Sequence, residues 1–344
     1  MTLRINLALQ GGGAHGAFTW GVLDRLLEED DLEIAAISGT SAGAMNGAAL
    51  KSGFLAGGHA GARETLDWLW QKIGATGADG ISDWMQAWLP DPGYVSRALE
   101  YAPGFVWSDM LGRMMSPYGW GPLYRNPLTP IVEKFDFGRV CAQDGPALFV
   151  CATQVRDGKI RVFSGERITT QAIVASACLP TLFQAVEVED PETGNTEAFW
   201  DGGYTGNPAL FPLFEPELPQ DIVVVNINPL HRDQLPRTPT EIQNRINEIS
   251  FNSSLLRDLR AIDFVQRLLD EGKMEEGVMK RPLIHMIADD GLMNDLSVAT
   301  KTVAVPSVIA QLKASGRRAA GAFLRDHKAQ IGVTQSANLR TMFE

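Results

Sequence analysis

A serine flanked by two glycines has the sequence setting of a catalytic nucleophile. An apolar run at residues 34–38 is followed by Gly39-Thr40-Ser41-Ala42-Gly43 and then by small residues with a helical pattern. G-x-S-x-G between a strand and a helix is typical of a nucleophile elbow, whose sharp turn presents an exposed hydroxyl at a helix N-terminus. The alternative is a turn that only lets a helix pack on a sheet. We predict that Ser41 is a nucleophile.

A glycine-rich loop follows the first predicted strand. That strand covers Ile5–Gln10, and Gly11-Gly12-Gly13-Ala14-His15-Gly16 leads from it into a helical pattern. Three glycines leave backbone N–H groups unshielded, which suits a bound anion. The anion could be a phosphate, or it could be the oxyanion of a tetrahedral intermediate beside Ser41.

A nucleotide site is the main rival for this loop. Gly11, Gly13 and Gly16 match the G-x-G-x-x-G pattern of dinucleotide-binding proteins. Such a site needs an acidic residue at the end of the second strand to bind the ribose. Here that strand ends in Ser38-Gly39-Thr40-Ser41, without a carboxylate, and no Gly-Lys-Ser/Thr follows the loop as a P-loop would require. The sequence therefore disfavours nucleotide binding.

An Asp-Gly-Gly segment supplies a candidate base. Asp201-Gly202-Gly203 follows Ala198-Phe199-Trp200, and Asp and Gly are common turn residues in their own right. A serine nucleophile, however, needs a group that takes its proton. A carboxyl with its ordinary pKa near 3.9 is a weak base at neutral pH, so Asp201 would need partial burial or would act mainly in the transition state.

These three elements in this order resemble the patatin-like phospholipase family. Segments such as Ala175–Pro180 and Asn207-Pro208 extend the resemblance along nearly the whole chain. It implies a three-layer α/β/α fold with a central, mostly parallel sheet, and an acyl hydrolase without metal or organic cofactor. It further implies a Ser41–Asp201 dyad. The residues implied for the oxyanion hole are Gly11, Gly12, Gly13 and Ala42, and the supporting motif residues are His15, Gly16, Gly39, Gly43, Gly202 and Gly203.

One position departs from the family pattern. The family commonly has Arg or Lys where this chain has His15. Backbone donors would survive this change, but a fixed positive charge would not, because an unperturbed imidazole titrates near pH 6.5. His15 either only helps to begin the helix or, when protonated, aids the binding of an anionic headgroup or oxyanion.

A Ser–His–Asp triad is a further alternative, because three histidines follow Asp201 in the chain. His285 lies in an apolar run that predicts a buried strand, His231 follows a turn, and His327 lies on a charged helix. An α/β-hydrolase also usually has several strands before its elbow. Structural roles are therefore expected for all three.

Composition is that of a globular protein. The chain has 344 residues, 45% of them hydrophobic, and a formal net charge of −11, which argues against nucleic-acid partners and against electrostatic docking on anionic membranes. We expect a lipid or other acyl-ester substrate and transient membrane contact. A candidate basic patch comprises Lys313, Arg317, Arg318, Arg325 and Lys328, and a solvated helix face is its alternative.

Three cysteines, Cys141, Cys151 and Cys178, lie among apolar residues without a C-x-x-C spacing, which predicts buried reduced thiols. Neither a signal peptide nor a membrane span is visible, so a cytoplasmic protein, peripheral to membranes at most, is expected.

The chain is expected to form a single catalytic domain over residues 1–344. Residues 74–126, rich in Trp, Tyr and Met, are a candidate lid or cap, and residues 241–344 form a helical C-terminal part that includes a long helix at Glu241–Glu271. Predicted strands are Ile5–Gln10, Ile34–Ser38, Ala147–Gln154, Ile160–Ser164, Gln184–Glu189, Ile222–Asn228 and Leu283–Ala288.

The predicted function is serine acyl hydrolysis as a phospholipase A, lysophospholipase or carboxylesterase. Two alternatives stay open: an acyltransferase or transacylase that uses the same site, and a catalytically silent lipid-binding protein.

Overall fold

The computed structural model describes residues 2–74, 91–100, 102, 104, 116–189, 194–233, 235–275 and 277–343. The strands of these residues form one sheet. Their bounds are β1 Leu3–Leu9, β2 Leu32–Thr40, β3 Ala147–Gln154, β4 Ile160–Ser164, β5 Val186–Glu189, β6 Thr196–Asp201, β7 Asp221–Val225 and β8 Leu283–Ile287.

Helices cover both faces of this sheet. Their bounds are α1 Ala17–Leu26, α2 Ala42–Gly74, α3 Pro92–Glu100, α4 Thr129–Val132, α5 Phe137–Val140, α6 Thr170–Ser176, α7 Pro239–Asp270, α8 Asp290–Asp295, α9 Val298–Thr302, α10 Pro306–His327 and α11 Leu339–Met342. Helix α2 is interrupted at Gly57 and Gly58, where the backbone is not helical. Short 3-10 turns at Gly13–Gly16 and Gly202–Tyr204 follow β1 and β6.

The sheet is mostly parallel, as predicted. Its strand order is β5-β6-β3-β2-β1-β7-β8, with β4 paired to β3. The pairs β1–β2, β2–β3, β1–β7 and β7–β8 are parallel, whereas β4 and β6 run antiparallel to β3. Parallel strands must be buried on both faces by crossover helices, which explains why β7 is an uninterrupted apolar run after Asp221.

Two hydrophobic clusters lie on opposite faces of the sheet and establish the three-layer α/β/α arrangement. On one face Leu7 and Leu9 pack in a cluster with residues of α1, α2 and α10. On the other face Ala8 of the same strand packs with Leu255 and Leu259 of α7. Alternate residues of a strand point to opposite faces, so a single strand contributes to both cores.

Helices α1 and α10 pack at very short range. A Cβ atom on Gly21 would overlap the carbonyl oxygen of Lys313, and one on Gly316 would overlap the carbonyl oxygen of Phe18. Arg317 of α10 also pairs with Asp24 of α1. Close approach of two helices requires small residues at the contact, and the glycines meet this requirement.

The candidate basic patch consists largely of ion-paired side chains. Besides the pairs of Arg317 with Asp24 and Glu28, Lys313 pairs with Asp67, Arg325 with Asp326, and Lys328 with Glu29 and Asp31. These cations are neutralised by acidic neighbours, which favours the alternative of a solvated helix face over a lipid-binding patch.

Several predicted bounds need correction. The strand Thr196–Asp201 was not among the predicted strands, and the predicted strand at Gln184 begins only at Val186. The predicted strands at Ile222–Asn228 and Leu283–Ala288 end at Val225 and Ile287. The long helix begins at Pro239, because Thr238 and Glu241 form a reciprocal capping box.

Most of the candidate lid lies outside the described residues. Its described elements are α3 and a 3-10 turn at Pro117–Leu123, while Trp84, Trp88 and Trp107 fall in the remainder. The lid therefore stays a prediction. Of the helices in the described part of the chain, none combines the length and apolarity needed to cross a membrane.

Candidate active site

Ser41 occupies a strained turn between β2 and α2. Its φ of 54° is the one positive φ found at a non-glycine position of the described chain. The left-handed region is costly for such a residue and persists only where surrounding structure enforces it. Because the G-x-S-x-G segment bends sharply, a Cβ on Gly39 would lie 2.6 Å from the carbonyl oxygen of Gly43. The turn therefore requires glycine at position 39 for steric reasons.

The side chain of Ser41 is more enclosed than the elbow motif predicts. Ser41 is only 6% exposed, so the expectation of an exposed hydroxyl is wrong. The backbone of the glycine loop lies directly against it, since a Cβ on Gly11 would stand 2.6 Å from the Cβ of Ser41. The two motifs thus form one continuous surface.

Asp201 is brought to Ser41 by an antiparallel strand. In β3, Cys151 pairs with Thr40 of β2, and the next residue, Ala152, pairs with Asp201 of β6. Ala152 also pairs with Arg161 of β4, so β4 occupies the other side of β3 and β6 lies on the side of β2. Strands β2 and β6 therefore approach each other end to end, and their last residues meet.

Burial sets the protonation of Asp201. The residue is 1% exposed, and the loss of solvation raises the pKa of its carboxyl to about 7, opposed by the N–H of Gly203 and by the Ser41 hydroxyl. Oδ1 accepts the Gly203 N–H at 2.7 Å. Oδ2 has no hydrogen-bond partner within the described residues, although the Ser41 hydroxyl is near enough to lower the pKa of the carboxyl.

The N–H groups of the glycine loop differ in whether they have a hydrogen-bond acceptor. The N–H of Gly11 donates to Asn207 Oδ1 at 2.6 Å, and its carbonyl accepts from Asn228 Nδ2 at 2.7 Å. Gly11 is therefore not available as an oxyanion donor, contrary to expectation. The N–H groups of Gly12, Gly13 and Ala42 have no acceptor among the residues described here.

Gly13 can be replaced by no other residue without distortion. Its φ is +59°, and a Cβ there would overlap the carbonyl oxygen of Lys301 in α9. Gly16 is similarly constrained, because its Cβ would stand 2.6 Å from that of Ala42. The loop is consequently clamped between α9 and the first residue of α2.

A polar network supports the loop from the adjacent strand ends. Gln10 Oε1 accepts the N–H groups of Ile227 and Asn228, at 2.9 and 3.1 Å. Asn252 of α7 donates to the carbonyl oxygen of Asn228 at 3.2 Å. All these groups are buried and paired, as a rigid polar network requires.

Behind this network lies a buried ion-pair cluster centred on Glu248, which is 2% exposed. Its carboxylate accepts from Lys301 and Arg232, each at 2.7 Å, and from Arg245 at 3.3 Å. Burial alone would raise the pKa of Glu248, but Lys301 and Arg232 hold this pKa far below its ordinary value. Lys301 Nζ is also 3.4 Å from Asn228 Oδ1, which connects the cluster to the loop.

His15 is a buried, neutral residue. Its Nε2 is 2.9 Å from Thr300 Oγ1, and burial first, then the charge of Lys301, lowers its pKa well below 6.5. The hypothesis of a protonated His15 that binds an anion is therefore wrong. The imidazole connects the glycine loop to α9.

The three downstream histidines are occupied elsewhere. His285 in β8 lies 3.0 Å from Asp221 and 2.9 Å from Ser336, so both ring nitrogens have partners. His231 lies 3.2 Å from Asp233, and His327 lies 3.2 Å from Gln330. Strands β1 and β7 also separate β8 from β2. None of the three completes a triad with Ser41.

Four polar residues of this site were not predicted: Ser176, Asn207, Asn228 and Gln10. Ser176 and Asn207 belong to segments that contribute to the family resemblance, but no role followed from their types. Gln10 and Asn228 offered a signal, since polar residues just after buried parallel strands lie at the edge where such sheets bind ligands.

The fold is therefore a three-layer α/β/α arrangement in which the first two strands of a mostly parallel sheet lead into the glycine loop and into the turn at Ser41. The chain belongs to the patatin-like phospholipase family, whose sequence model matches residues 7–214. This membership gives the fold and identifies a lipid acyl hydrolase at the level of the family. No curated protein is similar enough in sequence to count as a relative.

The solved structures that match this chain are those of longer chains. VipD from Legionella pneumophila matches over 95% of this chain and 67% of its own, with 14% identity and a TM-score of 0.44. The type III effector protein ExoU matches over 94% of this chain and 53% of its own, with 18% identity and a TM-score of 0.30. A chain of the heterodimeric ExoU–SpcU complex from the type III secretion system of Pseudomonas aeruginosa matches over 96% of this chain and 61% of its own, with 15% identity and a TM-score of 0.28. The chain therefore spans between about half and two thirds of these relatives.

Proposed function

We propose that this protein is a serine acyl hydrolase that cleaves fatty-acyl esters through Ser41 and Asp201. The observation that supports it best is the meeting of β2 and β6, which places a serine in a strained elbow beside a carboxyl whose pKa is about 7. A general base works best when its pKa is near the operating pH. Burial thus removes the chemical objection to an aspartate as base.

The first half of the reaction forms an acyl-enzyme. Ser41 Oγ attacks the ester carbonyl carbon, and Asp201 Oδ2 takes the hydroxyl proton. The resulting oxyanion accepts hydrogen bonds from the N–H groups of Gly12, Gly13 and Ala42, which lie at a loop and a helix N-terminus. Collapse breaks the bond to the alcohol oxygen, and Asp201 returns the proton to this leaving group.

The second half releases the acid. Water attacks the carbonyl carbon of acyl-Ser41 while Asp201 accepts a proton from it, and collapse of the second tetrahedral intermediate returns this proton to Ser41 Oγ. A fatty acid leaves. An alcohol acceptor in place of water would yield an ester instead, which is the transacylase alternative.

Hydrolysis of p-nitrophenyl esters from C2 to C16 tests the proposal. Wild type should hydrolyse them, and Ser41→Ala and Asp201→Asn should each lose at least about a thousandfold in kcat, with folding verified by circular dichroism. The chain-length optimum would measure the acyl site, and added alcohol with product analysis would detect transfer. An inert wild type, or a Ser41→Ala variant with the wild-type rate, would refute the proposed function.

A further inference from the structure

One short turn of chain holds the main chain of both Ser41 and Asp201. Helix α6 ends at Ser176, and the turn continues through Ala177 to Cys178. Ser176 Oγ accepts the N–H of Ser41 at 2.9 Å, and the carbonyl oxygen of Cys178 accepts the N–H of Asp201 at 2.7 Å. The residues joined by the first of these bonds are 135 positions apart in sequence.

The direction of the Ser176 hydrogen bonds is fixed by their partners. Ser176 Oγ is 2.6 Å from the carbonyl oxygen of Cys151, which can only accept, so the single hydroxyl proton points there. The N–H of Ser41 can only donate, so it must donate to a lone pair of Ser176 Oγ. Ser176 is fully buried, so water does not compete for either bond.

The bond to Ser41 acts on the strained part of the elbow. The N–H of Ser41 belongs to the peptide that joins Thr40 to Ser41, and the orientation of this peptide defines the φ of 54°. Strand pairing ends at Thr40, which is opposite Cys151. Ser176 therefore supplies the hydrogen-bond acceptor for the first residue beyond the paired part of β2. Without this bond a non-glycine residue would relax to a negative φ.

We infer that Ser176 is a positioning residue. It fixes the peptide between Thr40 and Ser41 and, because the turn continues from Ser176 to Cys178, it also fixes the position of Ser41 relative to Asp201. The inference rests on the proposed function, because it assigns to Ser176 a role in acylation of Ser41. Reacting groups must be held close to the productive geometry, and a misplacement of about 1 Å can lower a rate by about a hundredfold.

The test compares two fully buried serines that each donate to a backbone carbonyl. Ser176→Ala removes the acceptor of the Ser41 N–H, whereas Ser38→Ala removes a fully buried hydroxyl of β2 that donates to the Ala209 carbonyl at 2.6 Å. For Ser176→Ala we expect kcat on a p-nitrophenyl ester to fall about ten- to a hundredfold with KM within about threefold. Ser38→Ala should retain kcat within about threefold.

Labelling by a fluorophosphonate gives a second measurement that does not depend on substrate binding. Its rate with Ser41 should fall in Ser176→Ala by about the same factor as kcat and should be unchanged in Ser38→Ala. Ser176→Cys, which keeps the shape of the side chain but replaces the oxygen by a larger sulfur atom that is a weak acceptor, should lie between wild type and Ser176→Ala. It decides the question alone if Ser176→Ala does not fold.

Three results would overturn the inference: a wild-type labelling rate in Ser176→Ala, a wild-type rate in Ser176→Cys when Ser176→Ala does not fold, or an equal loss in Ser38→Ala. The last would mean that loss of any buried hydroxyl nearby lowers the rate. These results are distinguishable from failure of the proposed function, in which wild type itself is inert or Ser41→Ala remains active.

Discussion

Replacing Asp201 by Asn should make the protein inactive. It should also increase the free energy of unfolding relative to that of wild type as pH rises. The wild-type carboxyl is almost fully buried, and burial raises its pKa from 3.8 to about 7. The folded state therefore binds this proton more tightly than the unfolded chain does. The stabilisation by this proton is fully present below pH 3.8. It is lost as pH rises, and the loss is complete above about pH 7.

The size of the effect follows from the two pKa values. Relative to its value at low pH, the free energy of unfolding is lowered through Asp201 by about 4 kcal/mol at pH 8, where the folded carboxyl is charged. At pH 5 the loss is only about 1.5 kcal/mol, because the carboxyl is then ionised in the unfolded chain but still protonated in the folded protein. Asn keeps an oxygen that can accept the Gly203 N–H and carries no charge. The free energy of unfolding of Asp201→Asn minus that of wild type should thus increase by roughly 2.5 kcal/mol between pH 5 and pH 8.

Urea unfolding of both proteins at half-unit intervals from pH 5 to pH 8 measures this difference. Asp157→Asn is the control, because Asp157 is an exposed carboxyl whose pKa is lowered by the N–H of Lys159. Both of its pKa values lie below pH 5, so its difference from wild type should be flat over the same range. A difference for Asp201→Asn that is flat, or that decreases with pH, would refute the burial argument for this base.

Three further predictions concern rate and stability. The kcat/KM for a p-nitrophenyl ester should rise with pH and level off above about 7, since only ionised Asp201 accepts a proton; a flat profile from pH 5 to 9 would exclude this base. Gly13→Ala should lower kcat by about a hundredfold or more, whereas Gly158→Ala, at φ +67° in open space, should not; equal rates would contradict the clamp on the loop. Glu248→Gln, which leaves three cations without their buried partner, should lower the free energy of unfolding in urea by about 3–5 kcal/mol, and Glu33→Gln, whose pair is half exposed, by less than about 1 kcal/mol.

Local patterns account for what the sequence could predict. The glycine loop and the G-x-S-x-G elbow are each set by consecutive residues, because their backbone geometry tolerates only small neighbours. The central strands were also predicted from consecutive residues, because strands buried on both faces are apolar runs. Their ends were less accurate, as a polar residue such as Asn226 can follow the last paired position.

The remaining features depend on contacts between distant parts of the chain. Thr196–Asp201 has little of the alternation that marks a strand, and it is a strand because β3 provides an unpaired edge beyond the end of β2. The roles of Ser176 and Asn207 follow from bonds to Ser41 and Gly11, 135 and 196 residues away. The hydrogen-bond partner of His15 is likewise distant, because Thr300 lies 285 residues further along the chain.

The packing of α1 against α10 has a consequence for the timing of protein synthesis. Asp24 and Arg317, which pair across this contact, are 293 residues apart, and a ribosome adding about 5–20 residues per second needs about 15–60 s to cover that distance. Throughout this time α1 lacks the helix that covers it. The elbow sequence is made early, whereas Asp201, Asn207 and Lys301 follow much later. A nascent chain would therefore carry its serine for about 15–60 s before it could hydrolyse anything, so the activity would begin only when synthesis of the fold is nearly complete.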